Sequence, residues 1–117
     1  MKAHTVLAIA SILSATSVHA ADLASGQQIS EAISGNTVQG GMEASGVYTE
    51  YYAADGVVRG ADYTAKWMIE GDMMCWLYEG SEKDCWNASI DGDQIGWVQD
   101  GENLGTGTIL SANPNNF

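Results

Sequence analysis

Closely spaced turn signals constrain this chain more than any other feature. From residue 55 onward, Asp55-Gly56, Gly71-Asp72, Glu79-Gly80-Ser81, Asp91-Gly92-Asp93 and Asp100-Gly101 separate runs of residues rich in Val, Ile, Thr, Tyr and Trp. Asp-Gly and Gly-Asp pairs supply the positive backbone φ angles of tight hairpins, and runs of about five to seven residues are the length of strands. Consecutive antiparallel hairpins follow. The spacing predicts strands over Val38–Gly40, Gly46–Tyr52, Val57–Tyr63, Lys66–Ile69, Met73–Tyr78, Cys85–Ile90, Gln94–Gln99 and Gly105–Leu110. Ahead of them, Ser25 and Gln28 fit a capping box, Ile29, Ala32 and Ile33 recur at helical spacing, and Gly35 stops the run. This predicts one short helix over residues 26–34. The expected class is mainly β: a small eight-stranded antiparallel meander barrel with one short N-terminal helix, since closure removes exposed strand edges.

Strand parity sharpens the expectation. If Cys75 and Cys85 face each other, alternation puts Met74, Trp76, Tyr78, Trp86, Ala88 and Ile90 on the opposite face. A two-residue turn around Gly92 then brings Ile95 and Trp97 to that same face, and a two- or four-residue turn around Gly71 adds Trp67 and Ile69. Lys66, Asn87, Ser89 and Gln94 fall on the other, with the cysteines. Four tryptophans converging on one side read first as core, because an eight-stranded interior is only just wide enough to be filled by side chains. Any cavity is expected to be small. A carbohydrate platform or a lipocalin-like cup is the alternative.

Residues 1–20 read as a signal peptide. Lys2 gives a basic start, Thr5 to Ala15 an apolar stretch, and Val18-His19-Ala20 a small-x-small cleavage pattern. The stretch is too short and too broken by Ser and Thr to span a bilayer. Residues 21–117 are then a single β-barrel domain, located in the periplasm or secreted, with no membrane insertion after processing. Removing Lys2 and no acid takes the formal charge from −11 to −12, and both histidines, His4 and His19, leave with the segment. Without imidazole the chain has no Ser-His or Cys-His pair and no His metal ligand, so a non-enzymatic role is expected. No pair of acids stands out for carboxylate catalysis. So acidic a chain is not expected to bind nucleic acid, whose phosphates require Lys and Arg. It suits a basic protein partner.

Two cysteines in an exported chain read as a disulfide, Cys75 to Cys85, rather than a redox or metal pair, since the spacing is not C-x-x-C. The turns Asp91-Gly92-Asp93 and Asp100-Gly101-Glu102 offer oxygens to a hard cation, but they match no EF-hand loop and are explained by hairpin chemistry. No metal ligands and no cofactor are assigned. Gly105-Thr106-Gly107-Thr108 is not followed by a helix and reads as a strand whose glycines permit close packing, not as a phosphate loop. Tyr48, Tyr51, Tyr52 and Tyr63, with Arg59, form a second aromatic group around the Asp55-Gly56 hairpin. Ser45, Tyr48, Tyr51, Tyr52 and Arg59 are the candidate binding residues, and the chain is expected to act as a monomer.

Taken together, Ser34-Gly35-Asn36-Thr37, Tyr51-Tyr52-Ala53-Ala54-Asp55-Gly56, Arg59-Gly60, Lys66-Trp67, Cys75, Cys85-Trp86 and Gly105-Thr106-Gly107-Thr108 before Asn113-Pro114-Asn115 resemble a group of small exported alphaproteobacterial proteins sharing a domain of unknown function. That resemblance implies an exported location and carries over no catalytic residue. Ser45-Gly46-Val47-Tyr48 is similar, one residue short, to the Ser-Gly-x-x-Tyr element of periplasmic inhibitors of C-type lysozyme, which are small eight-stranded barrels. Their second, Lys-containing element has no clear counterpart. The similarity implies inhibition of a cationic hydrolase, with Ser45 and Tyr48 as contacts.

Overall fold

The computed structural model describes residues 22–117; the signal peptide assigned to residues 1–20 lies outside the described residues. Eight antiparallel strands pair in sequence order, and the last returns to the first to close a barrel. They are β1 (Asn36–Met42), β2 (Gly46–Tyr52), β3 (Val57–Arg59), β4 (Thr64–Glu70), β5 (Met73–Leu77), β6 (Asp84–Asp91), β7 (Gln94–Gln99) and β8 (Glu102–Leu110). Closure is through β1 and β8, from Thr37 opposite Leu110 to Met42 opposite Gly105. Every strand thus has two neighbours and no ladder edge is left open.

The hairpins carry the expected chemistry. Asp91 pairs with Gln94 across Gly92-Asp93, and Gln99 pairs with Glu102 across Asp100-Gly101. Gly92 takes φ +61°, and Asp100 and Gly101 take +53° and +79°, which is the left-handed conformation that two-residue hairpin loops require. One predicted strand is wrong in extent. The run Val57–Tyr63 is a strand only to Arg59, because the chain turns at Gly60, whose N–H donates to the Tyr63 carbonyl at 2.9 Å. At the other extreme, β1 and β8 run longer than expected, to Asn36–Met42 and Glu102–Leu110.

The helix α1 (Gly26–Ile33) has the expected capping box. Gln28 N–H donates to Ser25 Oγ at 3.1 Å, and Ser25 N–H donates to Gln28 Oε1 at 2.8 Å. It is tied to one end of the barrel. Gly26 N–H donates to Asp72 Oδ1 at 2.9 Å in the β4–β5 turn, Ala24 N–H to the Ala88 carbonyl at 2.7 Å, and Gly35 N–H to the Tyr52 carbonyl at 2.7 Å. Ile29 and Ile33 are fully buried there and join the core with Val38, Val58, Met74, Ala88 and Ile95. The helix therefore stoppers the barrel end formed by the β2–β3, β4–β5 and β6–β7 turns. No described helix is long and apolar enough to cross a membrane.

Parity falls as expected. Trp67, Trp76 and Trp97 are buried inside, and Trp76 and Trp97 meet edge to face with ring centroids 4.8 Å apart. Cys75 stands opposite Cys85 in the β5–β6 register, and the two form a disulfide.

Candidate functional site

The barrel end opposite α1 is open. Residues of the β1–β2 hairpin, the β3–β4 loop, the β5–β6 loop and the start of β8 surround the mouth of a cavity of about 690 Å³. Its lining includes Met42, Tyr48, Glu50, Tyr52, Tyr63, Trp76, Tyr78, Trp86, Trp97 and Leu104, with Glu43, Ala44, Ser45, Val47 and Asp84 completing the rim and wall. This corrects the expectation that tryptophans would fill the interior and leave only a small cavity. The volume is in the range of pockets that hold small organic molecules.

Two local devices make the room. On β1 and β8 the inward positions at the mid-barrel are glycines, Gly40 facing Gly107. A Cβ on Gly107 would lie 2.5 Å from Val38 Cγ1 and 2.6 Å from Tyr48 Oη, and one on Gly105 would collide with Met42 Sδ. The bare backbone lets Tyr48 and Met42 lie flat against β8 instead of standing into the lumen. The second device is a bulge. Trp97 pairs with Gly105 and Val98 with Asn103, so Leu104 is the extra residue and reaches the cavity wall.

Glu50 lies deep in this cup and is only 4% exposed. Tyr52 Oη donates to Glu50 Oε1 at 2.7 Å, while Tyr63 Oη and Tyr78 Oη donate to Oε2 at 2.6 and 2.7 Å. Trp76 Nε1 in turn donates to Tyr52 Oη at 3.1 Å. Beside this cluster, Trp97 Nε1 donates to Tyr48 Oη at 2.9 Å and Tyr48 Oη donates to the Thr106 carbonyl at 3.0 Å. Burial pushes the Tyr48 hydroxyl up to about 12, with the Glu50 charge adding to the rise against the Trp97 hydrogen bond. Burial, then the Glu50 charge and hydrogen bond, raises Tyr52 and Tyr78 well above the usual tyrosine value. Tyr63 is raised by burial and then by its hydrogen bond to Glu50. All four hydroxyls are therefore donors at neutral pH. No Lys or Arg is among the residues that line the cavity.

The candidate binding residues separate. Tyr48 and Tyr52 stand inside the cup, and Ser45 lies on its rim in the exposed β1–β2 hairpin. Tyr51 and Arg59 pair with each other across β2 and β3, on the opposite face from Tyr52 and Val58, so they belong to the barrel exterior. Adjacent tyrosines on a strand cannot share a wall. The residue missed in the sequence is Glu50. Its signal was present: Tyr48, Glu50 and Tyr52 have the same parity, which puts a carboxylate on an aromatic face.

The Glu70 carboxylate lies near the sulfurs of Cys75 and Cys85, but both sulfurs are spent in the disulfide, leaving no thiolate to bind a metal. The acidic turns at residues 91–93 and 100–102 sit at opposite ends of β7, so their carboxylates do not form one site. Comparison of the chain with family models, curated proteins and solved structures finds no match.

Proposed function

We propose that this protein is an exported, non-enzymatic binding protein that holds a small, largely apolar organic molecule in the open end of the barrel. The observation that carries the reading is the cup itself: about 690 Å³, walled by Trp76, Trp86, Trp97, Tyr48 and Met42, with the Glu50–tyrosine cluster in one side and an open mouth. Apolar walls with a few convergent polar groups are the usual makeup of a ligand pocket. Three tryptophans in the wall make occupancy visible. An environment-sensitive apolar probe should quench or shift tryptophan emission with one-to-one stoichiometry, and Trp97→Phe should weaken the response. An unchanged spectrum at millimolar probe would overturn the proposal. The Cys75–Cys85 bridge supports an oxidising compartment such as the periplasm.

The β1–β2 hairpin favours a second reading, docking on a basic protein. Val47 is 92% exposed at the rim beside Ser45 and Glu43, on a chain of net charge −11. An exposed apolar residue within an acidic field suits a cationic surface such as lysozyme's. Mixing with lysozyme at low salt should give a salt-sensitive complex and lost lytic activity; retained activity in a stable mixture would remove this reading.

A further inference from the structure

Glu50 is a carboxylate almost wholly removed from water, and the groups around it are neutral. Three tyrosine hydroxyls donate to it at 2.6–2.7 Å, lengths typical of hydrogen bonds to a carboxylate anion. These dipoles stabilise the charge without cancelling it. Charged side chains this deeply buried are ordinarily paired with an opposite charge. Among the described residues the one ion pair is Lys83 with Glu70, both outside the cavity lining. The cup thus has a buried negative group in its wall and, among the described residues that line it, no cation to balance it.

Its walls point the same way. Trp76, Trp86 and Trp97, with Tyr48 and Tyr78, surround the space above Glu50, and indole and phenol faces attract positive charge. The chain's net charge of −11 adds a field that concentrates cations around it. A bare metal ion does not fit this chemistry. Three hydroxyl donors already occupy the Glu50 oxygens, and apart from Glu43, Ser45 and Asp84 the remaining wall is largely carbon. An ammonium group on an apolar body matches both: its charge above Glu50 and against the rings, its hydrocarbon along Met42, Leu104 and the tryptophans.

We propose that the molecule held in the cup is an organic cation, an alkyl- or aryl-ammonium ion, recognised by Glu50 and the surrounding aromatic faces. This rests on the reading of the cup as a ligand site. The test uses three probes of one chain length, octyltrimethylammonium, octanol and octyl sulfate, titrated below their aggregation limits by calorimetry and tryptophan fluorescence. The ammonium ion is expected to bind one-to-one and at least about tenfold tighter than the alcohol, with the sulfate weakest. That order should persist at about 0.15 M salt, where exposed charges are screened. Glu50→Gln should bring the ammonium ion and the alcohol within threefold of each other. If that variant fails to fold, the order and stoichiometry in salt carry the test on the unaltered protein.

Equal binding of ammonium and alcohol would overturn the cation and leave the apolar cup standing. A preference that vanishes in salt would mean surface attraction and overturn it too. No binding of any of the three would overturn both readings.

Discussion

Raising the pH should unfold this protein abruptly, and the tyrosines of the cup set where. Tyr52 is fully buried and Tyr48 and Tyr78 are half-buried, and burial and the Glu50 charge hold their ionisation above the ordinary value of 10. In the unfolded chain they ionise normally. A raised folded value means that their stabilising contribution is complete below pH 10 and is lost as pH climbs through the folded value. Each tyrosine kept neutral while its unfolded counterpart ionises removes about 1.4 kcal/mol per pH unit. For half-buried Tyr48, pushed up to about 12, screening by solvent limits the loss to about 1.5 kcal/mol, whereas fully buried Tyr52 goes on losing stability beyond that pH. With half-buried Tyr48 and Tyr78 discounted by about half for solvent screening, the three together remove roughly 5–6 kcal/mol between pH 10 and 12. Tyr63, 39% exposed, is left out of that figure because solvent screens it. A domain of this size has a total stability of roughly 5–14 kcal/mol. Cooperative unfolding is therefore expected at about pH 12 or just above. The assay is parallel measurement of tyrosinate absorbance and near-ultraviolet circular dichroism. Tyrosinate from the cup should appear steeply and together with loss of the dichroism. Tyrosinate from four or five side chains developing around pH 10 with the dichroism intact would show that the hydroxyls are open to water, and the Glu50 cluster would be refuted.

Three further outcomes are expected. Reducing the Cys75–Cys85 bridge, or replacing both residues with Ser, releases a loop with a sequence separation of 10 and should cost about 3 kcal/mol, lowering Tm by more than about 10 °C; a shift of a degree or two would mean that the unfolded chain is not constrained by it. Gly107→Ala places a methyl against Val38 and Tyr48, and should destabilise by about 1–3 kcal/mol and change Trp97 emission as Tyr48 is displaced. An unaltered emission spectrum would show that Tyr48 does not lie on β8. Ile33→Ala removes a fully buried side chain from the stopper and should cost about 2–5 kcal/mol in urea unfolding, and a loss below 1 kcal/mol would mean that α1 is not packed into the barrel end.

Most of the barrel was legible because turn chemistry and strand parity are local. Gly92 and Asp100-Gly101 sit in two-residue loops, and once loop length is known the register and the inward set follow by alternation. That is why Trp67, Trp76, Trp86 and Trp97 were assigned correctly to one wall. The same alternation separates Tyr51 from Tyr52, so the tyrosines do not form one group: Tyr51 and Arg59 share the outer face, while Tyr48 and Tyr52 line the cup. The end of β3 was legible as well, because Gly60-Ala61-Asp62 are residue types depleted in strands, and the Gly60–Tyr63 hydrogen bond turns the chain there.

By itself the amino-acid sequence determined the strand count, the hairpin order, the disulfide and the aromatic wall, since each depends on residues a few positions apart. Only the tertiary structure decided that the barrel is stoppered at one end and open at the other. That outcome needs α1 to dock beneath β4 and β5, β8 to close on β1, and Tyr48 and Met42 to fold over Gly107 and Gly105. It also needs Tyr52, Tyr63 and Tyr78, from three segments, to meet one carboxylate on Glu50. Apart from Tyr52 and Glu50, two positions apart on β2, these contacts join residues far apart in the chain, and no local propensity encodes whether the space between them is filled.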